Sequence, residues 1–174
     1  AGIHEVVAPL GTAVTEFQLE RLWRYSNVPI LCLDGDAAGQ KAAIRAAHRA
    51  LPLLKPGYSL DFVTLPDGQD PADMIQAGAG AALKAYLASN VRITLSRLIW
   101  ETEVAVGPKT PEERAGLRER LDQLAQGIAN PLVAQEYKSL FKDLFWETFG
   151  WGRKNAVSAS EASMRARVAP RKSQ

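Results

Sequence analysis

The stretch VPILCLDGDAAGQKAA, residues 28–43, decides the fold, because an apolar run meets two acids at its end. Val28 to Leu33 carry no charge, a pattern typical of a strand buried on both faces of a parallel sheet. Asp34 and Asp36 follow with one glycine between them, and small residues at helical spacing come next. Neighbouring carboxylates repel each other, so the arrangement indicates a bound cation or a reaction that uses both charges.

Strand and helix patterns alternate on both sides of this stretch, and a Thr15–Gln18 capping box marks one helix start. The elements predicted before residue 70 are a strand at 3–9, a helix from Thr15 to about Asn27, a strand at 28–33, a helix from Asp36 to about Leu54 and a strand at 60–65. This βαβαβ order predicts an α/β fold with right-handed crossovers and a parallel sheet. Ligands collect at the carboxyl ends of such strands, where the two acids fall.

From residue 81 onward the pattern is helical and predicts a small α-helical bundle. Residues 91–100 form one amphipathic segment, Thr110 with Pro111 and Glu113 marks a helix start, and Asn130-Pro131 marks another. An apolar stripe predicted to be bundle core then runs to Gly150 through Val133, Tyr137, Leu140, Phe141, Leu144 and Phe145. The predicted units are therefore residues 1–80, residues 81–150 and a basic flexible tail at 151–174.

Composition narrows the classes of protein further. The single cysteine, Cys32, lies in the apolar run, so it excludes a disulfide framework and indicates a buried, inert thiol in a reducing compartment. No apolar stretch is long enough to cross a membrane and no signal-peptide pattern is evident at the start, so we expect no membrane contact. Six basic residues and one acid follow position 152, and a solvated linker is favoured over a nucleic-acid contact for that tail.

Several carboxylates are expected to converge on one crevice of the sheet. Asp34 and Asp36 end one strand, and three more acids follow the next strand: Asp67, Asp70 and Asp73. Magnesium prefers oxygen ligands and keeps several waters, so such a set suits a divalent cation and a phosphate-bearing substrate. The pattern also admits a plainer interpretation, in which Asp36 caps the following helix and the later acids belong to a turn and a helix start.

Two further residues are candidates for contact with a nucleotide. Gly35 leaves room for a phosphate or a backbone to approach closely. Lys41 lies just over one turn into the helix after the acids, where it can reach a phosphate or remain a solvated surface lysine. No phosphate-binding glycine loop and no Ser-His-Asp arrangement is evident in the sequence.

Four segments, read together, resemble a known family. The segments are VVAPLGTAVTEFQLERL at 6–22, LDGDAAGQKAA at 33–43, LPDGQDPADMI at 65–75 and TPEERAGLRERLDQLAQGIANPLVAQEYKSLF at 110–141. The first three resemble the second part of the Toprim domain of DnaG-type bacterial replicative DNA primases. The fourth resembles the helical segment that follows Toprim in those primases, so the resemblance covers about residues 1–150.

The resemblance implies a DNA-dependent RNA polymerase that makes short RNA primers from ribonucleoside triphosphates on single-stranded DNA, using Mg²⁺ or Mn²⁺. Asp34 and Asp36 match catalytic metal ligands, and Asp70 matches the first acid of the family's D-P-D pattern. Ala72 stands at the third position of that pattern, with the acid displaced to Asp73. Such primases act at the bacterial replication fork and contact the replicative helicase through a domain that is not part of this chain.

The resemblance also implies a catalytic Glu-Gly strand and a zinc-binding domain upstream of residue 1. A piece of a longer protein without that glutamate is expected to be inactive in polymerisation. Two alternatives stay open from the residues alone. One is a phosphatase of the haloacid dehalogenase type, which also carries D-x-D after a buried strand, although Ala38 stands where that family usually has Thr or Val. The other is a non-catalytic interaction module.

Overall fold

The structure is a computed structural model that describes residues 6–8, 13–66, 71–88 and 92–150. Its elements are α1 (Glu16–Leu22), β1 (Ile30–Leu33), α2 (Ala37–Ala50), a 3₁₀ turn (Leu51–Leu53), β2 (Asp61–Thr64), α3 (Pro71–Gln76), α4 (Gly80–Ala88), β3 (Ile93–Thr94), α5 (Leu95–Val104), α6 (Pro111–Gln126) and α7 (Pro131–Phe149). The predicted α/β unit followed by helices is confirmed. The division at residues 80 and 150 stays a prediction.

The sheet has the order β1-β2-β3, with β1 parallel and β3 antiparallel to β2. The predicted parallel pairing is confirmed for β1 and β2. Strand β3, where the sequence predicted only a helical segment, adds an antiparallel edge in which Ile93 pairs with Phe62. The segment 91–100 was predicted as one amphipathic stretch, but Thr94 caps α5 in an extended conformation. Extended residues before a helix can pair with an open strand edge, and two residues are too few to leave a strand pattern.

Burial along the first two predicted strands is lower than expected. All four residues of β1 are half-buried rather than buried on both faces, because β1 pairs only with β2 among the described residues. The predicted strand at 3–9 is described only at 6–8, where the chain forms no strand and Val6 and Val7 are 66% and 73% exposed. Residues 3–5 and 9 of that prediction lie outside the described residues.

Helix α2 is the centre of the core. The six residues predicted to share its inner face are all at most 3% exposed: Ala43, Ala46, Ala47, Ala50, Leu51 and Leu54. The small side chains of the four alanines let α2 pack against β1, β2 and α5. The α-helix ends at Ala50, earlier than the predicted Leu54, because the ring of Pro52 is incompatible with a continuing helix. Helix α1 likewise ends at Leu22, before the predicted Asn27.

Helices α6 and α7 form a hairpin that extends the same core. Both predicted starts are confirmed, with a Thr110–Glu113 capping box on α6 and Asn130 capping α7. Leu117, Leu121, Phe141 and Phe145 are buried in one cluster with the α2 residues. Of the predicted apolar stripe only Leu140, at 38% exposure, lies largely outside this core.

In the part of the chain that the structure describes, no helix combines the length and apolarity needed to cross a bilayer.

Candidate metal centre at the ends of strands 1 and 2

Strands β1 and β2 end side by side, which brings the two acid-bearing segments to one edge of the sheet. Leu33 is in register with Thr64, and the Leu65 N–H donates to the Leu33 carbonyl at 3.0 Å. The segments that follow the two strands therefore begin next to each other at this edge. In parallel sheets this carboxyl edge is where ligands bind, as the sequence predicted.

Gly35 holds these two chain segments in direct contact. It is buried, and a Cβ atom at this position would lie 2.2 Å from the Pro66 carbonyl oxygen and 2.4 Å from that of Leu65. The turn after β1 thus packs directly on the backbone that leads from β2 into the acidic segment 67–73. Of the two approaches predicted for this glycine the structure shows the backbone one, and nucleotide binding by Gly35 stays a prediction.

A second glycine, Gly39, closes the turn from the other side. A Cβ atom on Gly39 would lie 2.2 Å from the Asp34 carbonyl oxygen, so the first turn of α2 folds tightly over Asp34. This role of Gly39 was not predicted, although a glycine in the first turn of an alanine-rich helix is a recognisable signal. Alanine there would favour the helix by about 1 kcal/mol, so a glycine indicates a close approach.

Asp36 caps α2, and Asp34 stands free beside it. The Asp36 Oδ1 atom accepts a hydrogen bond from the Gly39 N–H at 2.7 Å, which confirms the capping interpretation. Asp34 is exposed and has no hydrogen-bond or ion-pair partner among the residues that the structure describes. Three of the four carboxylate oxygens in this turn are therefore open to a ligand.

The charge of Asp34 also affects the neighbouring cysteine. Burial, and secondarily the Asp34 carboxylate, raise the pKa of the Cys32 thiol. A raised pKa keeps the thiol protonated and therefore weakly nucleophilic, as predicted, although the residue is half-buried rather than fully buried. Cys32 is thus a neutral neighbour of the acidic turn.

Of the three remaining predicted carboxylates, only one lies among the residues that the structure describes. Asp73 is exposed in the first turn of α3, whereas Asp67 and Asp70 lie outside the described residues. Within the described ranges no group of three or more His, Cys, Asp or Glu side chains forms a metal cluster. Asp34 and Asp36 nevertheless fit a hard divalent cation, because they offer open oxygens beside the turn that Gly35 packs against the backbone leading into 67–73.

Lys41 lies on the exposed side of α2. Gly39 faces Asp34, and residues two positions apart on a helix point about 200° apart around its axis. Lys41 is therefore on the opposite side of α2 from the contact with Asp34. Its predicted role in nucleotide binding stays a prediction.

Comparison with known proteins agrees with these motifs. A family model described as Toprim-like matches residues 1–75. The chain is 40% identical over 165 residues to the DNA primase of Rickettsia prowazekii (strain Madrid E), a match that covers 94% of this chain and 28% of that protein. The chain therefore spans just over a quarter of the length of this curated relative.

Solved structures give the same assignment for the fold. The structure of the DnaG catalytic core matches with a TM-score of 0.73 and 31% identity over 82% of this chain and 46% of that one. A DnaG primase catalytic domain bound to single-stranded DNA matches with a TM-score of 0.67 and 29% identity over 77% and 42% of the two chains. The 174-residue chain therefore belongs, over the segment it spans, to the bacterial DNA primase family, with a Toprim-like part followed by a helical part.

Proposed function

We propose that this chain supplies the metal-binding turn of a DNA primase that synthesises short RNA primers on single-stranded DNA. The observation that carries the proposal is the packing of Gly35 on the Leu65 and Pro66 carbonyls, which joins the two acid-bearing segments at one edge of the sheet. The relatives that bear the name DNA primase are much longer than this chain, so the activity is proposed for the protein as a whole.

Asp34 and Asp36 are the proposed catalytic metal ligands. The Gly39 N–H fixes one oxygen of Asp36, which leaves the other oxygen in a defined position at the mouth of the turn. Asp34 is exposed and has both oxygens open to a ligand within the described part of the chain. Mg²⁺ or Mn²⁺ bound there would neutralise the phosphates of an incoming ribonucleoside triphosphate and lower the pKa of the primer hydroxyl.

Asp70 and Asp73 are proposed to complete the ligand set. Asp73 lies at the start of α3, and Ala72 occupies the position where the family pattern has its second acid. A shift of the acid by one residue moves its side chain about 100° around a helix, so Asp73 serves as a ligand only if α3 turns accordingly. Gly35 and Lys41 are the residues proposed to contact the nucleotide.

Partners follow from the same family membership. Single-stranded DNA is the proposed template, in keeping with the relative whose structure holds it. Contact with the replicative helicase, action at the bacterial replication fork in the cytoplasm and the use of zinc are proposed for other parts of the protein. We expect this chain alone not to extend primers.

Neither alternative function gains support from a specific observation. A haloacid dehalogenase-type phosphatase would share the D-x-D turn, but the relative named above is a DNA primase and matches 94% of this chain. A purely non-catalytic module would have no use for two carboxylates held at a ligand-binding edge. A phosphatase assay with a generic phosphomonoester is expected to show no turnover.

A segment exchange tests the proposal. Residues 1–150 of this chain replace the matching segment of the Rickettsia prowazekii primase, and RNA synthesis is measured on a single-stranded template with Mg²⁺. We expect the hybrid to make primers, and the substitutions Asp34→Asn and Asp36→Asn to abolish synthesis. The matched control is Asp143→Asn, which changes the same charge on the exposed side of α7 and should leave synthesis intact. Primer synthesis that survives Asp34→Asn and Asp36→Asn would contradict the proposal.

A further inference from the structure

In the part of the chain that the structure describes, the carboxyl end of β2 has a neighbouring strand on one side only. Strand β1 pairs with β2 along all four residues, whereas on the other side β3 pairs with Asp61 and Phe62. On that second side the Leu60 carbonyl accepts from the Leu95 N–H. Backbone polar groups alternate between the two sides of a strand, so the Thr64 carbonyl faces the same side as that of Leu60. Thr64 lies two residues beyond the last residue that β3 pairs.

Tyr86 of α4 gives this carbonyl a hydrogen-bond donor. The Tyr86 hydroxyl donates to the Thr64 carbonyl oxygen at 2.9 Å, across 22 residues of sequence. The Tyr86 side chain is half-buried, and Leu83, one turn earlier on α4, is 3% exposed. The buried leucine anchors the helix, so the hydroxyl approaches the carbonyl from a defined position. Phenylalanine at position 86 would fill the same space but would leave the carbonyl without this donor.

One rigid peptide unit connects Tyr86 to the residue that precedes Asp34. The Thr64 carbonyl and the Leu65 N–H belong to the same planar group. The carbonyl accepts from Tyr86, and the N–H donates to the Leu33 carbonyl at 3.0 Å. The Leu33 carbonyl carbon is bonded covalently to the Asp34 nitrogen. The orientation of the Thr64–Leu65 peptide is therefore passed to the first acid of the β1–α2 turn.

The packing of Gly35 leaves no slack in this connection. A Cβ atom on Gly35 would lie 2.4 Å from the Leu65 carbonyl oxygen and 2.2 Å from that of Pro66, so the turn rests directly on the backbone that leaves β2. A rotation of the Thr64–Leu65 peptide would move the Leu65 carbonyl relative to Gly35. Closely packed atoms transmit such a displacement, and the two carboxylates of the turn flank this glycine.

We propose that Tyr86 is a positioning residue for the β1–α2 turn. Its hydroxyl fixes the Thr64–Leu65 peptide and thereby orients the carboxylates of Asp34 and Asp36. The effect of this orientation on metal affinity rests on the proposed function, whereas the positioning itself requires no metal ion. A tyrosine that only filled space or only paired a carbonyl would change the stability of the chain and leave the turn unchanged.

The test compares Tyr86→Phe with Trp23→Phe in the 174-residue chain. The Trp23 Nε1–H donates to the Ser59 carbonyl at 2.9 Å, so this control also removes an aromatic donor from a backbone carbonyl, but near the amino end of β2. Trp23 is 8% exposed and loses volume, so the control should lower the urea midpoint more than Tyr86→Phe does. Without metal, Tyr86→Phe should shift the amide NMR signals of residues 34–37, and the control should leave them in place.

Mn²⁺ affinity, measured by calorimetry, is the second readout. Tyr86→Phe should weaken it about fivefold, less than the loss for a group bonded directly to a metal ligand, and Trp23→Phe should leave it unchanged. The inference is overturned if the signals of residues 34–37 stay in place in Tyr86→Phe, or if both variants weaken Mn²⁺ binding equally. Mn²⁺ binding that survives Asp34→Asn/Asp36→Asn would contradict the proposed function instead, and the metal-free amide signals would still decide the role of Tyr86.

Discussion

Helices α2 and α6 cap the free backbone N–H groups of their first turns in different ways. Helix α6 starts with a complete capping box, a proline in its first turn and two acids, Glu112 and Glu113. Helix α2 has the single cap Asp36, no acid in its first turn and a glycine where alanine would favour the helix. The α6 start is optimised for the helix itself, whereas the α2 start gives up part of that stability to hold carboxylates at a sheet edge. The α6 start therefore serves the fold, whereas the α2 start has the open carboxylates that the proposed metal site requires.

The largest expected effect comes from the glycine that joins the two acid-bearing segments. Gly35→Ala should lower the free energy of unfolding by about 3 kcal/mol or more, because its Cβ would lie 2.2 Å from a backbone oxygen that cannot rotate away. Urea denaturation measures the change. The matched control is Gly116→Ala in α6, where the nearest atom would be Arg120 Nη1 at 3.7 Å, and where alanine should stabilise the chain by up to about 1 kcal/mol. Equal effects of the two substitutions would remove the distinction between the regions.

A core substitution in the helical hairpin should change stability alone. Leu117 is fully buried, so Leu117→Ala should cost about 3 kcal/mol. Leu132→Ala, at a position 67% exposed on α7, is the control and should change the unfolding free energy by under about 0.5 kcal/mol. Mn²⁺ affinity, measured by calorimetry below the unfolding temperature, should be the same in both. A weakened Mn²⁺ affinity in Leu117→Ala would show that the hairpin contributes to the metal site.

The cap of α2 allows charge and capping to be separated. Asn caps a helix as well as Asp does, so Asp36→Asn should change the unfolding free energy by less than about 0.5 kcal/mol. The same substitution removes a ligand charge and should weaken Mn²⁺ binding about tenfold or more. Asp36→Ala should lose both properties, with about 1 kcal/mol of stability. If Asp36→Asn keeps full Mn²⁺ affinity, Asp36 is a cap only.

Substitution of the α6 cap should change the stability of the chain without changing its Mn²⁺ affinity. Thr110→Ala removes the hydroxyl that accepts from the Glu113 N–H and should cost about 1 kcal/mol of unfolding free energy. Thr110→Ser keeps the hydroxyl and is the control, with a smaller loss. Calorimetric Mn²⁺ titration should give the same affinity for the unsubstituted chain, Thr110→Ala and Thr110→Ser. A changed affinity in Thr110→Ala would show that the α6 cap also affects the metal site.

The smallest effect is a pH dependence at the same cap. Backbone N–H groups of Lys109 and Thr110 donate to Glu113 and hold the pKa of its carboxyl below the usual value. A folded-state pKa below the unfolded one adds stability above the ordinary glutamate pKa, and that stability is lost as the pH falls toward the lowered value. The difference in melting temperature between the wild type and Glu113→Gln should therefore shrink between about pH 7 and about pH 3. A difference that is constant with pH would show that the carboxylate charge contributes nothing.

The comparison also explains what the sequence could reveal. The capping boxes at Thr15 and Thr110 were predictable because each lies within four residues, and the alanine face of α2 because its period is regular. The D-G-D motif predicted the position of the acids and the Asp36 cap. It did not show which segment of the chain Gly35 packs against, because Leu65 and Pro66 lie 30 and 31 residues further along and meet Gly35 only in the folded sheet. The two-residue β3 was missed for the same reason, since its pairing with Phe62 leaves no local pattern.

The most direct test of the central claim is titration of the chain with Mn²⁺ while amide NMR line widths are followed. If the β1–α2 turn is a metal site, line broadening should centre on residues 34–37 and include Leu65 and Asp73. It should spare α6 and α7, and it should disappear in Asp34→Asn/Asp36→Asn. Broadening that persists in this double variant, or that centres instead on the exposed acids of α6 and α7, would contradict the account.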